Sequence, residues 1–143
     1  MKRLDSLTKR DLLAARKFDP AAVREHAERF FSEERYGDAF EFYRKLGDED
    51  RILDVKKAAI DLGDPELLWR IEHHNPARVT REDWLRCGEQ AMSLGKYRSA
   101  AYVFRRIGET ERLAAAEKEF KPAPPAGKPA AEAPPPPEGP RPA

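Results

Sequence analysis

Few residues in this chain could do chemistry. His73 and His74 are adjacent, His26 lies far from them in sequence, and Cys87 is the single cysteine. Histidines of this kind could hold a metal or move a proton. Neighbouring residues on a helix point about 100° apart, however, so these two imidazoles do not converge on one ion. Neither a Cys-x-x-Cys nor a His-x-x-Glu-His spacing occurs. A simpler role for the pair is a helix end, where imidazolium favours the dipole. Cys87 adjoins Gly88 on an apolar stripe, the setting of a small buried hydrophobe rather than a nucleophile. The paired carboxylates Glu33 and Glu34 stand among arginines, where nothing desolvates them to shift a pKa. Neither a Gly-rich phosphate loop nor a Gly-x-Ser-x-Gly turn is present. The expectation is a protein with no catalytic, cofactor-binding or metal-binding residues, and so not an enzyme.

The elements that would position any site are helices. Sustained period-two alternation is missing, and helix start and stop signals recur instead. Thr8 with Asp11 resembles a capping box and predicts a first helix to about Phe18. Asp19-Pro20 sets an N-cap before a proline at the first helical position. That second helix carries Val23, Ala27, Phe30 and Phe31, fades near Arg35 and is broken by Gly37. A third runs to Leu46 and stops at Gly47. The fourth spans about 48–62, with Ile52, Val55, Ala59 and Leu62 on one stripe, and ends at Gly63. Asp64-Pro65 opens a short fifth helix to about His73, before a loop at His74-Asn75-Pro76. Thr80 with Asp83 caps a sixth reaching Leu94. A seventh covers about 97–107 and is closed by Gly108, and Thr110 caps a last one fading near Phe120. Eight short helices with tight connections predict an all-α array of antiparallel hairpins.

An internal repeat gives that array a period. When the chain is slid against itself, Tyr36 falls on Tyr97 and the match continues without a gap. Ala39 meets Ala100, Tyr43 meets Phe104, Gly47 meets Gly108, and Arg51 meets Arg112. Two copies of one supersecondary unit, neither able to bury its apolar face alone, produce such a pattern. Leu62-Gly63-Asp64-Pro65 echoes Tyr36-Gly37-Asp38-Ala39, which places a degenerate unit between the copies. The true period is then half the offset, roughly 30 residues, which is the range of helical solenoids.

Trp84, Cys87-Gly88, Ala91, Gly95, Tyr97, Ala100, Phe104 and Ile107 resemble a tetratricopeptide repeat. The first copy keeps Ala27, Phe30, Ala39, Tyr43 and Leu46 but has Val23 in place of the aromatic. Arg51 and Arg112 stand where the family has its closing proline, and the middle unit fits only loosely. The resemblance implies an α-α superhelix whose first helices line a concave groove. It places Arg24, Glu28 and Phe31 of the first unit, with Leu85, Glu89 and Met92 of the third, at groove positions. Phe31, Leu85 and Met92 exposed together would form an apolar patch needing an occupant. Alternatively, a terminal helix of the chain folds into the groove and buries them.

Composition sets the remaining limits. Charged residues make up 37% of the chain and nearly cancel, at +1 net, as on solvated helix faces rather than a polyanion-binding surface. Lys2, Arg3, Lys9, Arg10, Arg16 and Lys17 are opposed only by Asp5 and Asp11. A surface helix with long basic side chains explains them. The alternative is a helix that contacts nucleic acid or an anionic membrane, against which stands the lack of interleaved aromatic side chains to stack bases. A single cysteine favours a reducing compartment, and no apolar run approaches the ~18 residues that span a bilayer. A cytoplasmic protein is expected. Three segments follow: a basic N-terminal helix (1–19), a repeat domain of three hairpins plus a C-terminal helix (20–120), and a Pro/Ala-rich tail (121–143). The tail has no aliphatic or aromatic side chains beyond alanine and proline, so disorder is expected of it. It would serve as a spacer or solubilising segment, or as a ligand for a proline-reading domain. The function expected is an adaptor that docks a partner's peptide or helix. Its rival is a structural subunit that self-associates or packs edge-on through its end helices.

Overall fold

The computed structural model describes residues 4–121; the proline-rich tail from Pro122, for which disorder is expected, and the first basic residues, Lys2 and Arg3, lie outside the described residues. The described chain is all-helical: α1 (Ser6–Ala14), α2 (Pro20–Ser32), α3 (Tyr36–Leu46), α4 (Glu49–Asp61), α5 (Pro65–His74), α6 (Arg81–Ser93), α7 (Tyr97–Ile107) and α8 (Thr110–Phe120). A single 3-10 turn, Pro76–Arg78, joins α5 to α6.

The helices repeat in length as well as sequence. α2, α4 and α6 each have 13 residues, and α3, α5 and α7 have 11, 10 and 11. Their N-caps recur regularly, at Asp19, Asp48, Thr80 and then Glu109 before α8. The first and last of these intervals are equal, and the middle one, Asp48 to Thr80, is slightly longer. The step from Asp19 to Thr80 equals the step from Tyr36 to Tyr97, so the helices keep the register of the sequence repeat. The middle unit, degenerate in sequence, is thus a full hairpin in structure. Its extra length lies after α5. Gly47 and Gly108 close α3 and α7 in the left-handed conformation, whereas Asn75 is held extended before Pro76 and the chain needs the 3-10 turn to reach α6.

The helices form two layers. Ion pairs join α2 to α4 (Arg24–Asp48, Arg51–Glu28), α4 to α6 (Lys56–Asp83) and α6 to α8 (Arg112–Glu89, Arg81–Glu109). In the second layer Lys9 of α1 pairs with Asp38 and Glu41 of α3, Arg70 of α5 with Glu41, and Arg106 of α7 with Glu72 of α5. The main core lies between the layers, with Phe40, Phe42, Tyr43, Ile52, Leu68 and Ile71 at most 1% exposed. Each such side chain contributes roughly 1.5–3 kcal/mol by leaving water. A smaller cluster of Ala91, Ala100, Ala101, Phe104 and Ala116 holds α6, α7 and α8 together. A methyl group on Gly88 would lie 2.7 Å from the Phe104 ring, so glycine sets the α6–α7 approach.

Four local expectations need correction. Asp5, not Thr8, caps α1: its carboxylate accepts from the Thr8 N–H, which makes Thr8 the third helical residue. α1 stops at Ala14 rather than Phe18, because Lys45 of α3 reaches across to the carbonyls of Leu13 and Ala15 and covers the Phe18 ring. The α2–α3 reversal falls at Glu34, and Gly37 sits inside the first turn of α3. Glu109 rather than Thr110 precedes α8, without a side-chain cap bond.

Candidate partner-binding surface

The residues placed at groove positions come together in two matching clusters. Arg24, Glu28 and Phe31 lie along one side of α2, and each meets α3 or α4. The Arg24 guanidinium pairs with Asp48, whose carboxyl is held below its ordinary range by that bond. Glu28 accepts from Arg51 Nε at 3.1 Å and again from Nη2. The same guanidinium covers the Phe31 ring at 4.3 Å, donates to the Tyr43 hydroxyl at 3.2 Å and pairs with Asp54. Hydrogen bonding to Glu28 drives the Arg51 pKa upward, so its charge is fixed. Burial pushes the Tyr43 phenol up to about 12, so it stays neutral and supplies the hydroxyl oxygen that Arg51 uses.

In the second copy of the repeat the pattern returns with fewer parts. Glu89 accepts from Arg112 Nη1 at 2.7 Å, matching Glu28 with Arg51. Met92 stands for Phe31 and Phe104 for Tyr43, so the second arginine has no phenol to bond. Leu85 stands for Arg24 and packs with Met92 against the small apolar cluster.

Phe31, Leu85 and Met92 are therefore not an exposed patch. Each is half-buried, Phe31 edge-on to Tyr36 at 5.2 Å, and each lies at the seam with the following helices. In the third unit α8, a terminal helix, takes the covering position. What stays open is a hollow beside each seam. One, of about 450 Å³, is lined by Phe31, Tyr36, Arg51, Asp54, Ala58 and Leu62 among others. The other, of about 230 Å³, is lined by Glu89, Met92, Phe104, Arg112 and Ala115. Phe31, Arg51 and Asp54 correspond to Met92, Arg112 and Ala115, so this is one hollow made twice. Sequence reasoning pairs Arg51 with Arg112 in the repeat and sets both where the family has its closing proline, but gives them no contact. The signal for their role is a shared spacing, since Glu28 to Arg51 and Glu89 to Arg112 are the same distance apart in the chain.

The remaining candidates take structural positions. His74 Nε2 lies 2.9 Å from Glu49 Oε1, while His73 stacks on Trp69, so the two rings diverge. Cys87 is fully buried, and burial pushes its thiol up to about 12, far from a thiolate at neutral pH. On α1, Lys9 turns inward to Asp38 and Glu41, leaving Arg10, Arg16 and Lys17 as the exposed basic groups among the described residues of this segment. None of the described helices is long and apolar enough to cross a membrane.

Comparison with known proteins finds no family model, no curated protein and no solved structure that matches this chain.

Proposed function

We propose that the chain is a non-enzymatic interaction module of the tetratricopeptide-like kind, an adaptor that holds a partner's peptide or helix against the α2/α4/α6/α8 layer. The observation that carries it is the hollow made twice. In both copies an apolar floor lies beside an arginine whose guanidinium is already fixed by a glutamate. A cation fixed over the Phe31 ring in the first copy, and one held by Glu89 beside Met92 in the lining of the second, present a formed contact surface. Seating a side chain there costs little ordering. Phe31, Leu85 and Met92 act as supports of this surface, while Ala58 and Ala115 form its open walls.

Filling both hollows tests the proposal. Ala58→Lys and Ala115→Lys, on helix positions near carboxylates, should leave the fold and melting temperature intact. A partner retained from native extract by the unaltered chain should be lost by the double variant. Retention unchanged by both substitutions would remove the hollows from the interaction.

A second role is favoured by α8. Its apolar side chains Leu113 and Phe120 are only half-buried. A helix face of this kind suits a structural subunit that stacks on itself or on another helical element. Light scattering separates the two: a mass that rises with concentration supports stacking, and a monomer at all concentrations excludes self-stacking.

A further inference from the structure

The two exposed aromatic side chains among the described large hydrophobics lie together, on the opposite layer from the hollows above. Trp69 of α5 and Tyr102 of α7 are each 43% exposed. With Pro65 and Glu66 they line a hollow of about 280 Å³. His73 stacks on the indole, with centroids 5.2 Å apart and planes within 12°, which fixes the tilt of Trp69. One turn further along both helices, the Arg106–Glu72 ion pair holds α5 and α7 side by side. Glu66 has no hydrogen bond or ion pair within the described residues. Two exposed aromatic rings, one held by His73, with an unpaired carboxylate beside them suit a polyproline helix. Its pyrrolidine rings stack on aromatic faces, it needs no backbone pairing, and it loses little entropy because proline is already restricted.

The chain carries such a segment. Ten of its 13 prolines follow residue 121; Pro134 to Pro137 are consecutive, and Arg141 comes shortly after them. The fold delivers this segment to the right side. α8 ends at Phe120, whose ring lies 4.9 Å below the guanidinium of Arg98. Arg98 is one helical turn before Tyr102, on the same outer side of α7, a rise of about 6 Å. Residues 122–133, at polyproline rise, span on the order of 40 Å, ample to bring Pro134 to the rings. Tethering also raises the local concentration to about the millimolar range, so even a weak stack is filled much of the time.

We propose that the α5–α7 hollow is a polyproline-binding groove occupied by the chain's own Pro134–Pro137 segment. Trp69 and Tyr102 stack on its rings, and Glu66 receives Arg141. This surface is separate from the twin hollows of the first layer and does not depend on their role.

Tryptophan emission reads it directly in the full chain. Trp84 is 3% exposed and bonded to Glu72, so a collisional quencher reports chiefly on Trp69, and the buried Trp84 serves as an internal check on folding. Replacing Pro134, Pro135, Pro136 and Pro137 together with glycine should raise the acrylamide quenching constant about twofold, as expected for a site at least half filled at millimolar effective concentration. Glu66→Gln should give part of that rise, and the indole N–H resonance of Trp69 should move while that of Trp84 stays. Equal quenching before and after the proline replacements would overturn the groove. Protection that disappears on tenfold dilution of the unaltered chain would overturn occupancy in cis and assign the groove to another copy's tail.

Discussion

Glu34 carries a φ of 60°, the one positive value outside glycine among the described residues, at the turn where the other two hairpins have Gly63 and Gly95. An L-residue in the left-handed region costs about 1–2 kcal/mol, and glycine's extra freedom in the unfolded chain returns roughly 0.5–1 of that. Glu34→Gly should therefore stabilise the chain by roughly 0.5–1 kcal/mol, a rise of a few degrees in the thermal midpoint. An unchanged or lowered midpoint would mean that the glutamate side chain offsets its own strain. Gly63→Ala should do the opposite, since φ is +59° and the new methyl would meet the Ala91 backbone at 2.7 Å. The loss expected in urea titration is about 2 kcal/mol or more. Sequence alone points to Gly37 as the breaker because it is the only glycine in that stretch. The rule that left-handed turns take glycine is a preference, and here the chain follows it in two hairpins of three.

At the scale of the element, helix positions were legible because their signals are local. Asp19-Pro20, Asp64-Pro65 and the Thr80/Asp83 box lie within one turn of the ends they mark. What each helix faces was not legible, because the partner arrives a whole hairpin later in the chain. Arg24, Glu28 and Phe31 read as one free face of α2 until α4 is laid across them. Thr80→Ala should cost about 1 kcal/mol in chemical denaturation, since Thr80 accepts from the Asp83 N–H and its loss opens the box. Carboxylates at these junctions also set the acid response. Asp48 lies below its ordinary 3.8, chiefly through its bond from Arg24. For Asp38 and Asp83, burial works to raise the pKa but is outweighed, by Lys9 and Arg35 at Asp38 and by the Thr80 N–H and Lys56 at Asp83. A carboxyl lowered by folding contributes stability that is fully present above its unfolded pKa and is lost as pH falls through the folded value. The thermal midpoint should hold from neutrality to about pH 4 and decline below it. Asp38→Asn should flatten that decline, each part-exposed pair being worth about 0.2–1 kcal/mol. An equally steep acid limb in Asp38→Asn would place the titrating groups elsewhere.

Across the whole molecule, stability is distributed unevenly along the array. The large cluster runs from α2 to Val103 of α7 and contains the rings of Phe30, Phe40, Phe42, Tyr43 and Trp84, while the cluster that secures α8 is four alanines around Phe104. In a chain of stacked hairpins each unit touches mainly its neighbours, so ends can open without the middle. At the N-terminal end α1 buries no residue and is the first element to leave; at the other end the thin C-terminal cluster makes α8 the next, followed by α7. The repeated sequence made the array legible, but not this gradient, because Ala101 stands where Phe40 does and the consequence depends on what surrounds each. Native-state amide exchange should show the lowest opening free energies in α1 and α8 and the highest in α3 and α4. Phe104→Leu should cost roughly 1–2 kcal/mol, through the gap left beside Gly88. Protection should then fall in α7 and α8 while α2 to α4 keep theirs. If every amide instead lost the same protection, the two clusters would be one cooperative unit, and a partner bound at either hollow would stabilise both ends alike. If the losses stay local, a partner seated at Met92 and Arg112 should raise protection mainly in α6 to α8, and one confined to Phe31 and Arg51 should leave α8 free to open.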